Sequence, residues 1–139
     1  MTNEERLQQI AAVRQMTDFG MFYPRGYLVA AFRRREDAER VRRDLLAGGY
    51  DEEDCLLVRA EEVADSARRN LADQQGPLSR LGRSDEAVAA HLRAAEGGST
   101  FLAIYAPDDL EVERAMNVMR RVEFEFVHRY QRFTIQLLR

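Results

Sequence analysis

Lysine is absent from this 139-residue chain, whose 21 basic residues are all arginine. Without a lysine amine, the protein cannot form a Schiff base, bind phosphate through a P-loop lysine or use a lysine with a lowered pKa as a general base. The 24 acidic residues outnumber the arginines and give a formal net charge of -3. This balance argues against nucleic-acid binding over the whole surface but is compatible with a local arginine patch.

Cysteine and histidine are also scarce. A single cysteine, Cys55, excludes an intrachain disulfide, and with only two histidines beside it a Cys/His zinc site is not expected. Cys55 follows a run of acidic residues that would raise the pKa of its thiol, so we predict a buried structural cysteine rather than a nucleophile. No residue spacing indicates a catalytic, metal or cofactor site, and we predict none of the three.

Long apolar runs are missing as well. The longest, at 27–32 and 101–106, have the length of a strand and are too short to span a bilayer. No apolar segment follows the polar N-terminus, so no secretory signal is predicted. We therefore expect no membrane association and, with one reduced cysteine, a cytoplasmic protein. A hydrophobic content of 45% with 32% charged residues is typical of one globular domain rather than a disordered chain.

The apolar pattern predicts an α+β fold. Strands are predicted over 27–32, 55–59, 101–106, 124–130 and 133–138. One helix is expected over 36–47, and a second begins at Asp108, where Glu111 gives the spacing of a capping box. The same order of elements recurs in both halves of the chain at a constant offset. Two β-α-β halves in one sheet predict a ferredoxin-like split β-α-β sandwich with a four-stranded antiparallel sheet and two main helices.

The remaining segments are placed around this unit. Residues 1–25 are predicted to form an N-terminal helix and an aromatic arm that contains Phe22 and Tyr23. Residues 26–139 are predicted to form a single domain. Within it, 60–98 is a helical insertion between the halves, with too few large apolar residues for a core of its own. We expect the insertion to lie on or beside the sheet.

Several segments carry a resemblance to a known family. They include Thr100-Phe101-Leu102-Ala103-Ile104-Tyr105, His128-Arg129-Tyr130-Gln131-Arg132-Phe133-Thr134 and, in the first half, Leu45-Leu46-Ala47-Gly48-Gly49-Tyr50 before an acidic turn. Over residues 26–135 the chain resembles the bacterial general-stress-protein (YflT-like) domain. The resemblance implies a small cytoplasmic stress-associated protein with a ferredoxin-like fold. It implies no established activity and therefore no catalytic residues.

Two groups of arginines are candidate anion contacts. Arg33, Arg34 and Arg35 leave the first strand where a helix begins, and a helix N-terminus with several guanidinium groups can bind phosphate. Arg129 and Arg132 alternate with aromatic residues, which is typical of proteins that bind single-stranded nucleic acid. The alternative, which the many neighbouring acids favour, is that both groups are solvated and paired locally.

The two histidines lead to different expectations. His91 has no acidic residue four positions away, and we expect it at the boundary of a helix. His128 alternates with Phe126 and Tyr130 on one face of a strand, which favours packing or a dimer interface over a pH-sensitive ligand contact. The candidate interface residues are Phe22, Tyr23, Phe126, His128, Tyr130, Phe133 and Ile135.

These observations favour a non-enzymatic stress-associated or regulatory module that forms a homodimer or another homo-oligomer through its sheet. The alternative is a sensor that binds an anion, a nucleotide or a nucleic acid through its arginine clusters. An enzyme is the least expected class, because two histidines and one cysteine do not assemble a nucleophile with its base.

Overall fold

The computed structural model describes residues 26–72, 84–131 and 135–139. The predicted N-terminal helix and the aromatic arm with Phe22 and Tyr23 lie outside these residues, as do the candidate contacts Arg132 and Phe133.

The described chain contains five strands, four α-helices and one short 3-10 turn. Their order is β1 (Tyr27–Phe32), α1 (Arg35–Ala47), a short 3-10 turn (Glu52–Asp54), β2 (Cys55–Val58), α2 (Ala60–Ala72), α3 (Ser84–Glu96), β3 (Thr100–Tyr105), α4 (Asp109–Met119), β4 (Phe126–Tyr130) and β5 (Ile135–Leu138). None of the helices in the described part of the chain combines the length and the apolar character needed to cross a membrane.

The strands form one antiparallel sheet in the order β2-β3-β1-β4-β5. The α+β class is confirmed, and the order of the first four strands is compatible with a ferredoxin-like arrangement because β3 lies between β1 and β2. The expected count of four strands is wrong. The segment that follows β4 returns along it as β5, with Ile135 opposite Tyr130 and Leu138 opposite Val127, and adds a fifth strand.

One face of the sheet packs against α1 and α4. Each helix has its apolar residues at helical spacing and buries that stripe on the sheet. Asp108 begins α4 as predicted, because its carboxylate accepts a hydrogen bond from the Glu111 amide at 2.8 Å. The buried side chains of this face include Leu28, Phe32, Val41, Leu45, Leu102, Ile104, Met116 and Met119.

The opposite face of the sheet is covered by the insertion. The helices α2 and α3 pack against each other and on this face, and we call them the α2–α3 hairpin. The buried residues here include Val29, Ala31 and Phe101 of the sheet, together with Val63 and Ala95 of the hairpin. All six residues of β1 are consequently buried, as expected for a continuous apolar strand.

We call the core between the sheet and the helices α1 and α4 the first core. One leucine inside it and one outside it allow a direct test. Leu102 of β3 is fully buried, whereas Leu110 of α4 is 71% exposed. Leu102→Ala should lower the free energy of unfolding by about 2–5 kcal/mol, because it removes packed methyl groups and leaves a cavity. Leu110→Ala should change it by less than about 0.5 kcal/mol. Urea denaturation followed by circular dichroism measures both, and equal losses would contradict this assignment of the core.

Candidate functional site

The most unusual side chain in the core is His91. It lies in α3 and points from the hairpin toward the sheet, where only 1% of it is exposed. The expectation of a boundary position for His91 is therefore wrong. Partners from β4, distant in sequence, lie within hydrogen-bond distance of its Nε2 atom, which favours burial of the imidazole.

His91 is hydrogen-bonded to two residues of β4. Its Nε2 atom lies 2.9 Å from Nδ1 of His128 and 3.0 Å from the hydroxyl of Tyr130. Two neutral imidazoles satisfy the first contact when one ring nitrogen donates and the other accepts. We call His91 and His128 the histidine pair.

Aromatic rings enclose the histidine pair. Phe126 stacks on His91 with ring centroids 5.3 Å apart and an interplanar angle of 10°, and it stacks on His128 at 4.7 Å. Phe101 of β3 meets His91 edge-on at 6.1 Å. The polar contacts of the pair are thus made inside an apolar environment, where an added charge is costly.

Both histidines are neutral at physiological pH. Burial holds the pKa of His91 well below its usual value, and the neighbouring His128 lowers it further. Burial also lowers the pKa of His128 from 6.5 to about 4. The pair is therefore a hydrogen-bonded unit that resists protonation. A general base would instead need a pKa close to neutral pH.

The cysteine of the chain lies away from the histidine pair. Cys55 begins β2 opposite Ile104, in the core on the other face of the sheet, and is fully buried. The prediction that Cys55 is buried is confirmed, and burial, followed by the charge of Asp54, raises the pKa of its thiol to about 12. Among the residues that the structure describes, no group of three or more His, Cys, Asp or Glu side chains could hold a metal ion.

An open groove of about 760 Å³ lies beside the histidine pair. Arg33 and Arg34 reach it from the end of β1, Arg93 reaches it from α3, and Phe124 and Phe126 supply an apolar wall. Arg33 and Arg93 make no ion pair with any other described residue. The groove is where guanidinium groups from two distant parts of the chain converge.

Acidic residues line the same groove. Asp37, Glu123 and Glu125 equal the three arginines in formal charge. Glu125 is already engaged, since one of its carboxylate oxygens accepts a hydrogen bond from the Ser99 hydroxyl. The groove therefore offers both cationic and anionic contacts and suits a ligand with more than one kind of polar group.

The other predicted anion contacts are paired away from the groove. Arg35 donates to Glu39 at 2.8 Å within α1, as the local alternative anticipated. Arg129 lies on the face of the sheet opposite the histidine pair, where it contacts Asp109 at 2.8 Å. The structure thus brings Arg33 and Arg34 together with Arg93, which the sequence analysis did not identify, and separates Arg35 and Arg129 from them.

The four candidate interface residues that the structure describes share one face of the sheet. Phe126, His128 and Tyr130 point to the same side as predicted, and Ile135 lies opposite Tyr130. The hairpin covers this side, so His128 and Tyr130 are buried within the chain, while Ile135 is half-buried. The accessible apolar side chain here is Leu137 of β5, which is 51% exposed.

Comparison of the chain with models of known families, with curated proteins and with solved structures gave no match. The resemblance to the YflT-like domain stays a prediction.

The contact between the histidines has no signal in the sequence. Alternation along β4 placed His128 on the correct face, but His91 is 37 positions away and its partners come from another element. Arg93 was missed for the same reason, because it is one of several exposed arginines until α3 packs beside the end of β1. Both contacts depend on where the insertion docks.

The Tyr130 hydroxyl provides a test of the buried hydrogen bonds. Tyr130→Phe removes its contact with His91 and should lower the free energy of unfolding by about 1–2 kcal/mol. Tyr105→Phe is the matched control, because the Tyr105 hydroxyl makes no hydrogen bond to another described residue, and it should cost less than about 0.5 kcal/mol. Urea titrations at neutral pH measure the difference, and an equal effect of the two variants would show that the Tyr130 hydroxyl is not bonded in the core.

Proposed function

We propose that this protein is a non-enzymatic regulatory module that associates with a second copy through the open edge of β5. Ile135–Leu138 contains no charged residue, and its one polar side chain is Gln136. Sheet edges in monomeric proteins are commonly protected by charges, prolines or covering elements, because exposed backbone groups pair with other chains. The uncharged β5 edge with its half-exposed Leu137 carries the proposal.

The other edge of the sheet is less suited to pairing. At β2 the guanidinium of Arg42 donates to the carbonyl of Cys55 at 2.8 Å, so that this backbone acceptor is already occupied. The acidic turn Glu52–Asp54 comes immediately before the strand and would repel its own copy. The contrast between the two edges favours association at β5.

Antiparallel pairing of β5 with its own copy satisfies both strands symmetrically. A two-fold axis between the strands would bring the same residues of each copy to the interface and continue one sheet through the dimer. Cross-strand contacts between leucine and isoleucine side chains would add apolar burial. Association at this edge leaves the hairpin in place, whereas association through His128 and Tyr130 would first require its removal.

The resemblance to the YflT-like domain adds three further parts to this proposal. A ferredoxin-like architecture, a stress-associated role and a cytoplasmic location are parts of this proposal. The strand order β2-β3-β1-β4 supports the first, and the lone buried cysteine is consistent with a reducing compartment. The position of Cys55 in the core on the opposite face of the sheet from the histidine pair supports a non-enzymatic role.

A charge on β5 tests the proposed interface. Leu137→Arg should leave the chain folded, because the side chain is already half exposed, and should shift the equilibrium toward monomer by repulsion across the two-fold axis. Leu110→Arg places the same charge at an exposed leucine of α4 and should leave the association unchanged. Light scattering across a micromolar concentration series measures the mass. If the wild-type protein has the mass of a monomer at every concentration, the proposal is wrong.

A second candidate function, supported by the convergence of Arg33, Arg34 and Arg93, is binding of a nucleotide in the groove. The guanidinium groups would contact its phosphates, and Phe124 and Phe126 would lie against its base. The acidic residues of the groove could accept hydrogen bonds from the base. This candidate requires no chemistry from the histidine pair.

Matched arginine variants test the groove. ADP should raise the melting temperature of the wild-type protein, and the shift should shrink as salt is added. Arg93→Gln and Arg33→Gln should each reduce the shift, whereas Arg40→Gln, an exposed α1 residue outside the groove, should retain it. If ADP, other nucleotides and a labelled single-stranded RNA all give no response, the groove is not a nucleotide site.

A further inference from the structure

The histidine pair joins the hairpin to the sheet, and neither candidate function uses it. His91 belongs to α3 and His128 to the sheet strand β4, so their hydrogen bond crosses the boundary between the two layers. We propose that the histidine pair is an acid-sensitive contact that holds the α2–α3 hairpin on the sheet near neutral pH and releases it as the pH falls.

Among the described side chains of the hairpin, that of His91 is the largest that is fully buried, while Leu92 is partly buried against the same core. The other buried residues of α2 and α3 are small, namely Val63, Ala64, Ser66, Ala67, Ala87, Val88, Ala94 and Ala95. His91 is the one hairpin residue among the largest fully buried side chains of the described structure. Small residues bury little apolar area each, so the loss of one large contact weakens the attachment of the hairpin disproportionately.

Protonation opposes this contact in two ways. A single added proton places a charge among Phe101, Phe126 and the apolar strands, where burial penalises it. A second proton turns both facing nitrogens into donors at a separation of 2.9 Å and places two positive rings side by side. The pair therefore titrates as a unit whose protonated forms favour exposure to water.

The other groups that face the pair from the described elements are mostly neutral. Tyr130 contacts His91 from β4, Val29 of β1 and Leu137 of β5 flank His128, and Phe101 comes from β3. The charged side chains described in the hairpin are exposed or partly exposed, and they are Glu61, Glu62, Asp65, Arg68, Glu86, Arg93 and Glu96. Of these, Asp65 pairs with Arg68 and Glu62 pairs with Arg59.

The direction of the pH effect follows from the lowered pKa values. A released histidine takes up protons below its ordinary pKa of 6.5, whereas His128 in the closed structure does so only near 4. The closed state therefore has its full stability above pH 6.5 and loses it as the pH falls from 6.5 toward about 4. Within that window, each linked proton increases the open population about tenfold per pH unit, so the two histidines together give at most about a hundredfold.

Release would expose an apolar face of the sheet. Val29, Ala31, Phe101 and Ala103 lie under the hairpin, and the first core on the other face is untouched by its removal. The inference is independent of association at β5, because β5 forms an edge of the described sheet and pairs there only with β4, whereas the hairpin packs on a face of the sheet.

Hydrogen–deuterium exchange on the full chain tests the proposal. Exchange rates corrected for intrinsic chemistry should rise in 60–72 and 84–96 by about tenfold per pH unit below 6.5 for each linked proton, and by up to about a hundredfold when both histidines take up a proton on opening. Exchange in α1 and α4, which pack on the other face, should rise much less over the same range and serves as the internal control. Equal acceleration in all four helices would overturn the proposal, since it would indicate global unfolding.

Histidine variants distinguish the effect of protonating the histidines from the effect of protonating the carboxylates. Both variants retain every carboxylate. The rise in exchange of the hairpin with acid, beyond that of α1 and α4, should be smaller in His128→Gln and absent in the double variant H91Q/H128Q. A hairpin that still opens with acid in the double variant would contradict the proposal. If the double variant does not fold, a titration of the histidine ring signals of the wild-type protein by nuclear magnetic resonance provides the test. Its only two histidine ring signals should titrate far below 6.5, and ordinary titration of both would overturn it.

Discussion

The central strand β1 imposes the constraint on which this architecture depends. Its six residues are apolar and all buried, so that both faces of the sheet must be covered. The helices α1 and α4 cover one face with large side chains such as Leu45 and Met119. The other face is covered by the insertion, which is far poorer in large apolar groups. The histidine pair lies where this weaker cover meets the sheet.

The features that the sequence predicted correctly are those determined by local chemistry. The run at Tyr27–Phe32 indicated a strand buried on both faces, and the spacing of Asp108 and Glu111 indicated the start of a helix. Alternation along β4 assigned His128 to the face it occupies. In each case the determining contacts lie within one element or its immediate neighbours.

The features that the sequence missed depend on tertiary docking. The contact of His91 with His128 requires α3 to lie across β4, and neither helical nor strand periodicity reports that placement. A strand was predicted over 133–138, but its pairing with β4, which makes it the fifth strand of the sheet, was not included in the expected four-stranded sheet. The groove likewise exists only because α3 brings Arg93 beside Arg33.

The arginine-only composition has a limited structural meaning. Most of the described ion pairs are short-range and exposed, such as Arg35 with Glu39 and Arg34 with Glu36, and exposed pairs of this kind contribute little to stability. The contacts that join distant parts of the chain are mainly apolar, with hydrogen bonds such as that from Arg42 to the Cys55 carbonyl and two longer-range ion pairs, Arg121 with Asp44 and Arg129 with Asp109. Arginine therefore determines which ligands the surface can bind more than it determines the fold.

The central claim is that the insertion covers the sheet through a buried, neutral pair of histidines. The most direct measurement is a nuclear Overhauser spectrum of the full chain at neutral pH, with the two histidine rings assigned. The structure places the ring centroids of His91 and His128 5.0 Å apart and that of Phe126 within 5.3 Å of His91, so cross-peaks among these three rings are predicted. Histidine rings that show no cross-peaks to each other or to Phe126, with the chemical shifts of solvated imidazoles, would contradict the account.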